Sequence, residues 1–418
     1  MSSETLWRHP EFVKLWTGQT VSQLGSVVTR TALPLVALLV LGAGPIEMAL
    51  LVVARSSAVL VVGLVAGVWV DRLRRRPLLI ATDVLRAALL FAVPVAFALD
   101  ALRMELLYVV AFLVAALGTL FGSAYRAYLP SLVGVERVFE GNSKIATSEA
   151  IAEVGGPGFA GALVQFVSAP FAILVDAFSF VASAASLWLI RHDEPPGPSR
   201  AERLTVVHEV AEGIGVVRRH PLLFPMAASS VIDHFFGSFY ATLYTLFLLN
   251  DLGLSPFLLG VVISAGGVGS LIGSLFATRV SRRLGVGLAF VGCAAASSAV
   301  GILTPLAGGT LLVATLMVFI PQLVGDSLQT VQWIAHGSVL QSVTPDRLLG
   351  RVSATLDVLS HGVGPFGALA AAAIAEAFGV RTAMGVAWAG GVVSVLVLAL
   401  SPLPKLTSLE SWRPAQRA

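Results

Sequence analysis

Apolar stretches of eighteen or more residues follow one another along the whole of this chain, each long enough to cross a hydrocarbon layer about 30 Å thick as a helix. The composition agrees: 56% of the 418 residues are hydrophobic and 12% are charged, against roughly 25% charged in ordinary soluble domains. Lipid is the solvent these side chains suit, and no separate soluble domain is left over. The opening residues, MSSETLWRHPEFVKLW, lack the short apolar core and small-residue cleavage site of a removable signal, so the first apolar run is expected to remain as a span.

Breaking the chain at Gly, Pro and charge clusters predicts twelve helices, near 13–42, 46–70, 77–99, 104–129, 144–168, 171–191, 221–250, 257–279, 286–307, 310–340, 351–378 and 382–401. The expected class is an all-α membrane protein with twelve transmembrane helices, and an even number of crossings returns both termini to one side. Short loops rich in Lys and Arg stay cytoplasmic. Arg72 to Arg76, Arg137, Lys144, Arg191 to Arg219, Arg279 to Arg283, Arg347, Arg351, Lys405, Arg413 and Arg417 all fall on the side of the termini, and only Arg103 and Arg381 lie opposite. Both termini are expected in the cytoplasm.

The two halves of the sequence repeat. Arg8-His9-Pro10 before the first span matches Arg219-His220-Pro221 before the seventh, and DRLRRR after the second matches TRVSRRL (278–284) after the eighth. VGGPGFAG (154–161) in the fifth matches VGPFGALA (363–370) in the eleventh. Parallel repeats of this kind are one known transporter design, with the substrate site at their interface. The expected domains are an N-terminal six-helix half, 1–191, and a C-terminal half, 221–401, pseudo-symmetric with it. A cytoplasmic linker spans 192–220, and 402–418 form a cytoplasmic tail. Ser199 and Glu202 have capping-box spacing, and Leu204, Val207, Ala211, Ile214 and Val217 recur on one face, so the linker is read as an amphipathic helix on the membrane surface. His192, His208 and His220, in or beside it, are read as solvated.

The densest charge, GVWVDRLRRRPLLI (67–80), lies in the loop after the second span. Its Gly67, Asp71, Arg72, Arg75 and Arg76 resemble the signature of the major facilitator superfamily between spans two and three, with a degraded copy in Arg279, Arg282 and Arg283. LWTGQTVSQLG followed by ALPL, then LLIATDVLRA, AYRAYLPSLV and FAILVDAFSFVASA, are similar to the bacterial efflux branch that contains the enterobactin-exporter-like and macrolide-efflux-like proteins. Gly156-Pro157 resembles the antiporter motif in the fifth span of drug/proton exchangers. The resemblance implies two halves rocking about a midplane cavity lined by spans one, four, seven and ten, and a cytoplasmic gate at the charged loop. The residues themselves suit a gate: Gly67 permits close helix approach, and Asp71 can face a helix N-terminus and accept from arginines. The same loop would also serve as a topology signal alone.

A charge near the bilayer centre costs roughly 2.5–3.5 kcal/mol on insertion scales, so each needs a partner or a wet cavity. The first span carries Gln19, Gln23, Ser26 and Arg30 on one helical face; the seventh carries Ser230, Asp233, Gly237, Tyr240 and Tyr244; the tenth carries Gln322, Asp326, Gln329, Trp333 and His336. Arg55 lies in the second span. These stripes are read as a substrate cavity comprising Gln23, Ser26, Arg30, Arg55, Asp233, Tyr240, Tyr244, Gln322, Asp326, Gln329 and Trp333. The alternative is that Arg30, Arg55, Asp233 and Asp326 only pair with one another to hold the halves together. Glu149 and Glu153 share a face of the fifth span, as do Asp357 and His361 in the eleventh, and Glu153 and Asp233 are the candidates for proton coupling. Asp83, Arg86 and Asp176, on spans three and six, are read as structural.

Cys293 is the single cysteine and is expected to be a small buried apolar residue. No metal-ligand spacing, no phosphate-cradling Gly-Lys-Ser/Thr loop and no nucleophile elbow occur, so no metal, cofactor, ATP-driven pumping, catalysis or nucleic-acid binding is expected. The expected function is secondary efflux of a small amphipathic compound, drug-like or siderophore-like, across a bacterial inner membrane by proton antiport, with the chain acting as a monomer. Transport of a lipid-like or nutrient molecule, or a non-transporting receptor on the same fold, are the alternatives.

Overall fold

The computed structural model describes residues 5–70, 73–192 and 214–407. Within them the chain forms twelve long helices and no strand: α1 (Pro10–Leu39), α2 (Pro45–Val70), α3 (Arg75–Ala98), α4 (Met104–Val133), α5 (Val138–Phe166), α6 (Ala169–Leu189), α7 (Leu223–Leu246), α8 (Pro256–Leu284), α9 (Val286–Leu306), α10 (Leu311–Val343), α11 (Asp346–Phe378) and α12 (Val380–Ala399). Each overlaps one predicted span. Ten are long and apolar enough to cross a membrane; α5 and α7 fall outside that group, because carboxylates, serines and glycines dilute their apolar residues. Two of the helices loosen into π turns, α7 at its end (Phe247–Asp251) and α10 in its middle (Pro321–Gly325). Such bulges re-aim the residues that follow them and concentrate at functional sites.

The His-Pro repeat seen in the sequence is a helix-start device used twice. His9 Nδ1 accepts from the Phe12 N–H at 3.1 Å with Pro10 in the first turn, and His220 Nδ1 accepts from the N–H groups of Leu222 and Leu223, both at 3.3 Å. A ring nitrogen thus satisfies donors that the first helical turn leaves without partners, and proline loses nothing there. His220 is therefore a half-buried cap rather than a solvated residue. His192 also departs from expectation: its Nε2 is buried, and its ring lies edge-on to Tyr128 at 6.5 Å. His208 and most of the predicted linker helix lie outside the described residues.

The chain divides into two compact units, one of 1–202 with 255–264, the other of 203–254 with 265–418. The first turns of α8 thus belong to the first unit. There, α1 packs on α6 and α5, α2 on α4, and α3 on α4 and α6. The α1–α6 contact is close enough that a Cβ on Gly25 would stand 2.2 Å from Ser179 Oγ and 2.6 Å from Asp176 Oδ1. Arg86 is held among these helices by an ion pair with Asp83 and by the faces of Phe180 and Phe121, 4.1 and 4.5 Å from its guanidinium carbon. Asp83, Arg86 and Asp176 are all buried. In the second unit α7 packs on α11 and α12, and α9 on α10 and α12. Leu222, Leu223, Met226, Phe290, Val339 and Leu398 belong to one apolar core, and Cys293 is buried as expected, in a separate cluster with Ala277 and Val331.

Candidate functional site

In the first unit the polar faces of α1 and α5 meet as two rungs. Arg30 Nη2 pairs with Glu153 Oε1 at 2.5 Å, and Gln23 Nε2 donates to Glu149 Oε1 at 3.1 Å. The spacing explains the match: Gln23 and Arg30 are seven residues apart, Glu149 and Glu153 four, so each pair lies along one helical face. Arg30 and Glu153 keep 42% and 53% of their side-chain surface exposed, so the pair borders open space. Arg55 makes no hydrogen bond or ion pair among the described residues but lies within electrostatic reach of Arg30 and Glu153. Arg30 is thus partnered inside its own unit, by the fifth span rather than by Asp233 or Asp326. Ser26 is half-buried on the same face of α1.

Directly beyond Glu153, α5 carries Gly156-Pro157, both buried. A Cβ on Gly156 would strike Val27 Cγ1 of α1 at 2.5 Å. One turn on, Gly161 faces Gly260 of α8: added Cβ atoms would lie 2.4 Å from Pro256 O and 2.3 Å from Pro157 O. The backbones therefore touch, which only glycine allows. Gly158 N–H donates to Ser264 Oγ of α8 at 2.9 Å. The antiporter-like motif is the place where α5 is seated against α1 on one side and α8 on the other.

In the second unit Asp233 meets hydroxyls rather than a cation. Ser229 Oγ approaches it at 3.5 Å and is itself bonded to Ser394 Oγ of α12 at 2.7 Å. Farther along α7 the rings of Tyr240 and Tyr244 lie 6.3 Å apart, and the buried Tyr244 hydroxyl sits beside Gln322 and Asp326 of α10. Asp326 follows the π turn. Its Oδ2 and Gln322 Oε1 hang over Gly266 of α8, 2.2 and 2.6 Å from where a Cβ would stand, and no hydrogen bond or ion pair among the described residues engages the carboxylate. A recess of about 340 Å³ opens here, lined by Ser270, Asp326, Gln329, Thr330 and Trp333. Trp333 is 75% exposed, so its ring face is available. A carboxylate beside an open indole can hold a polar or charged head while the ring receives apolar surface.

At the charged loop, Arg75 Nη1 donates to Ala127 O of α4 at 3.1 Å, and Arg76 donates to Leu187 O and Trp188 O at the end of α6, at 2.9 and 2.6 Å. These arginines satisfy carbonyls near helix C-termini, where a cation is favoured. Gly67 is in the last turns of α2, and Asp71 and Arg72 lie outside the described residues. One juxtaposition was not legible as a motif: His234 on α7 meets His361 on α11, with ring centroids 4.8 Å apart. The signal in the sequence is a histidine inside each of two spans that also carry a carboxylate, Asp233 and Asp357.

Twelve long helices, ten of them long and apolar enough to cross a membrane and several carrying a stripe of polar and charged residues, define a multi-pass membrane protein. Residues 15–364 match the Major Facilitator Superfamily, and the chain belongs to that family. It is similar to the multidrug efflux pump Tap of Mycolicibacterium fortuitum, 26% identical over 370 residues that cover 85% of this chain and 87% of Tap. It is also similar to YvqJ, an MFS-type transporter of Bacillus subtilis, 21% identical over 402 residues that cover 95% and 92% of the two chains. Among solved structures, the nucleoside transporter NupG has the same fold with a TM-score of 0.72 at 14% identity, over 93% of this chain and 98% of that one. A bacterial homologue of the iron transporter ferroportin, in its inward-facing state, reaches 0.70 at 18% identity over 95% and 99%.

Proposed function

We propose that this chain exports a small amphipathic compound across the bacterial cytoplasmic membrane in exchange for protons, by alternating access of two six-helix halves with both termini cytoplasmic. The observation that carries the reading is the Arg30–Glu153 pair between α1 and α5, set one residue pair before Gly156-Pro157. A proton arriving on Glu153 cancels its charge and leaves Arg30, with Arg55 nearby, without a countercharge. The loss of that contact loosens α1 from α5, and deprotonation restores it. A carboxylate whose protonation rearranges a helix pair is what an exchanger needs to make proton and substrate movements depend on each other.

The recess beside Asp326, Gln329 and Trp333 supports the substrate side of the reading, since it offers apolar and polar contact together. Gln23, Ser26, Asp233, Tyr240, Tyr244 and Gln322 complete the proposed pathway. The relatedness to Tap over most of both chains supports efflux over uptake. In this reading the halves are 1–191 and 221–401, the chain works as a monomer, and the loop at Gly67, Asp71, Arg72, Arg75 and Arg76 gates the cytoplasmic side. The test is flux into inside-out vesicles over a panel of drug-like and siderophore-like compounds. Accumulation driven by an acid interior and lost when the pH gradient is collapsed is expected. Gradient-independent equilibration of every compound would remove proton exchange, and binding without flux would turn the reading to a receptor.

A further inference from the structure

We propose that His234 and His361 form a second proton-binding site, on α7 and α11 of the second unit, in which two imidazoles take up one proton between them. The inference goes beyond the exchange reading, which rests on Glu153 of the first unit.

The argument begins with hydrogen positions. His234 Nδ1 lies 2.9 Å from Ser230 O, and His361 Nδ1 lies 2.9 Å from Asp357 O, each one turn back on its own helix. A carbonyl oxygen can only accept, so both Nδ1 atoms carry hydrogen. In the neutral ring the second nitrogen, Nε2, is then a bare acceptor. No other hydrogen bond among the described residues engages either ring. Two such rings stand with centroids 4.8 Å apart at 61°, and both residues are exposed rather than sealed in the core. Two rings in contact, each with an Nε2 acceptor not engaged by the described residues, make a candidate site for something that accepts electron pairs.

A proton fits this site better than a metal ion. A metal needs further ligands, and among the described residues no group of three or more His, Cys, Asp or Glu side chains is placed to hold one. A proton needs only one nitrogen and a nearby negative charge. Asp357 supplies that charge: among the described residues of α11 and α12, the helices packed against α7, it and His361 act electrostatically on His234. His336 of α10 faces the same carboxylate. The first proton is therefore attracted by Asp357, whereas a second would have to sit on a ring 4.8 Å from the first. Coupled sites of this kind titrate as a pair. Uptake of the proton places a charge where α7 meets α11.

The test uses the full chain in lipid nanodiscs, labelled with nitrogen-15 in histidine, with ring-nitrogen NMR followed between about pH 5 and 8. His234→Gln and His361→Gln identify the two residues by loss of their signals. The expected result is a joint transition of the two Nε2 atoms in the wild type, and a shift of the surviving histidine's midpoint by about one pH unit in each single variant. Glu153→Gln should leave this transition in place, which separates failure of this site from failure of the exchange reading. Unchanged midpoints in both variants would mean two independent histidines and overturn the proposal. If micromolar zinc bound the wild type, competed with the proton and failed to bind either variant, the site would be a metal site and the proposal would be wrong. The wild-type titration keeps the test decisive even if one variant folds poorly, because a shared proton moves both rings' signals in the same steps, whereas a single step at a different midpoint for each ring refutes sharing.

Discussion

Glu153 and Arg30 carry the clearest prediction at the scale of single residues. Both are about half exposed, so the pair is worth about 1 kcal/mol or less to stability, and its value is expected to lie in transport. Glu153→Gln should fold with near-normal thermal stability but lose pH-gradient-driven flux, as should Arg30→Gln. The double variant should not recover flux, because removing the unpaired arginine restores neutrality but not a proton carrier. Flux and melting temperature of the three variants check this; gradient-driven flux in Glu153→Gln would reassign proton coupling. The neighbouring rung, Gln23 to Glu149, is a neutral–charged contact of 3.1 Å, so its loss should be milder.

Helix contacts and helix starts decide behaviour at the scale of elements. A leucine at Gly260 would drive its Cβ to within 2.3 Å of the Pro157 carbonyl of α5, and backbone cannot step aside as a side chain can. Gly260→Leu is therefore expected to cost about 2 kcal/mol or more, read as a lowered melting temperature in detergent. Gly237→Ala, where a Cβ meets open space, should be neutral. The His220 cap makes a different forecast. Burial holds its imidazole below the ordinary value, so the neutral ring is favoured in the folded chain. Its contribution is present above the unfolded value near 6.5 and is lost as pH falls through the lower folded value. His220→Asn keeps a capping acceptor and should weaken the acid sensitivity of thermal unfolding, whereas His220→Ala should lower stability at neutral pH as well. Equal pH profiles for wild type and His220→Asn would show that the cap does not titrate.

For the whole molecule, the forecast is topological. With Cys293 replaced by alanine, a cysteine at Lys405 should react with a membrane-impermeant maleimide only after cells are permeabilised, and a cysteine at Ala101 should react in intact cells. Both positions are exposed. The physical basis is the retention of cationic loops in the cytoplasm. The reverse pattern would invert the proposed direction of export along with the orientation.

Apolar runs together with the Gly, Pro and charge breaks between them determined the twelve helices, because both are local information: each predicted segment overlaps an observed one, and the His-Pro repeat marks the start of α1 and of α7 in the same way. The stripe on α1 was legible too, since seven-residue spacing places Gln23 and Arg30 on one face whatever surrounds them. Which partner each polar group meets was not. Arg30 could have answered Asp233 or Asp326 by charge alone, and it is the packing of α1 on α5 that gives it Glu153. Asp233 finds Ser229 and the Ser394 side of α12, Arg75 and Arg76 find the ends of α4 and α6, and His234 finds His361, 127 positions away along the chain. Periodicity states which face of a helix is polar; only the tertiary structure decides what that face is turned towards, because the choice depends on backbone contacts such as Gly161 with Gly260 that join residues far apart in sequence.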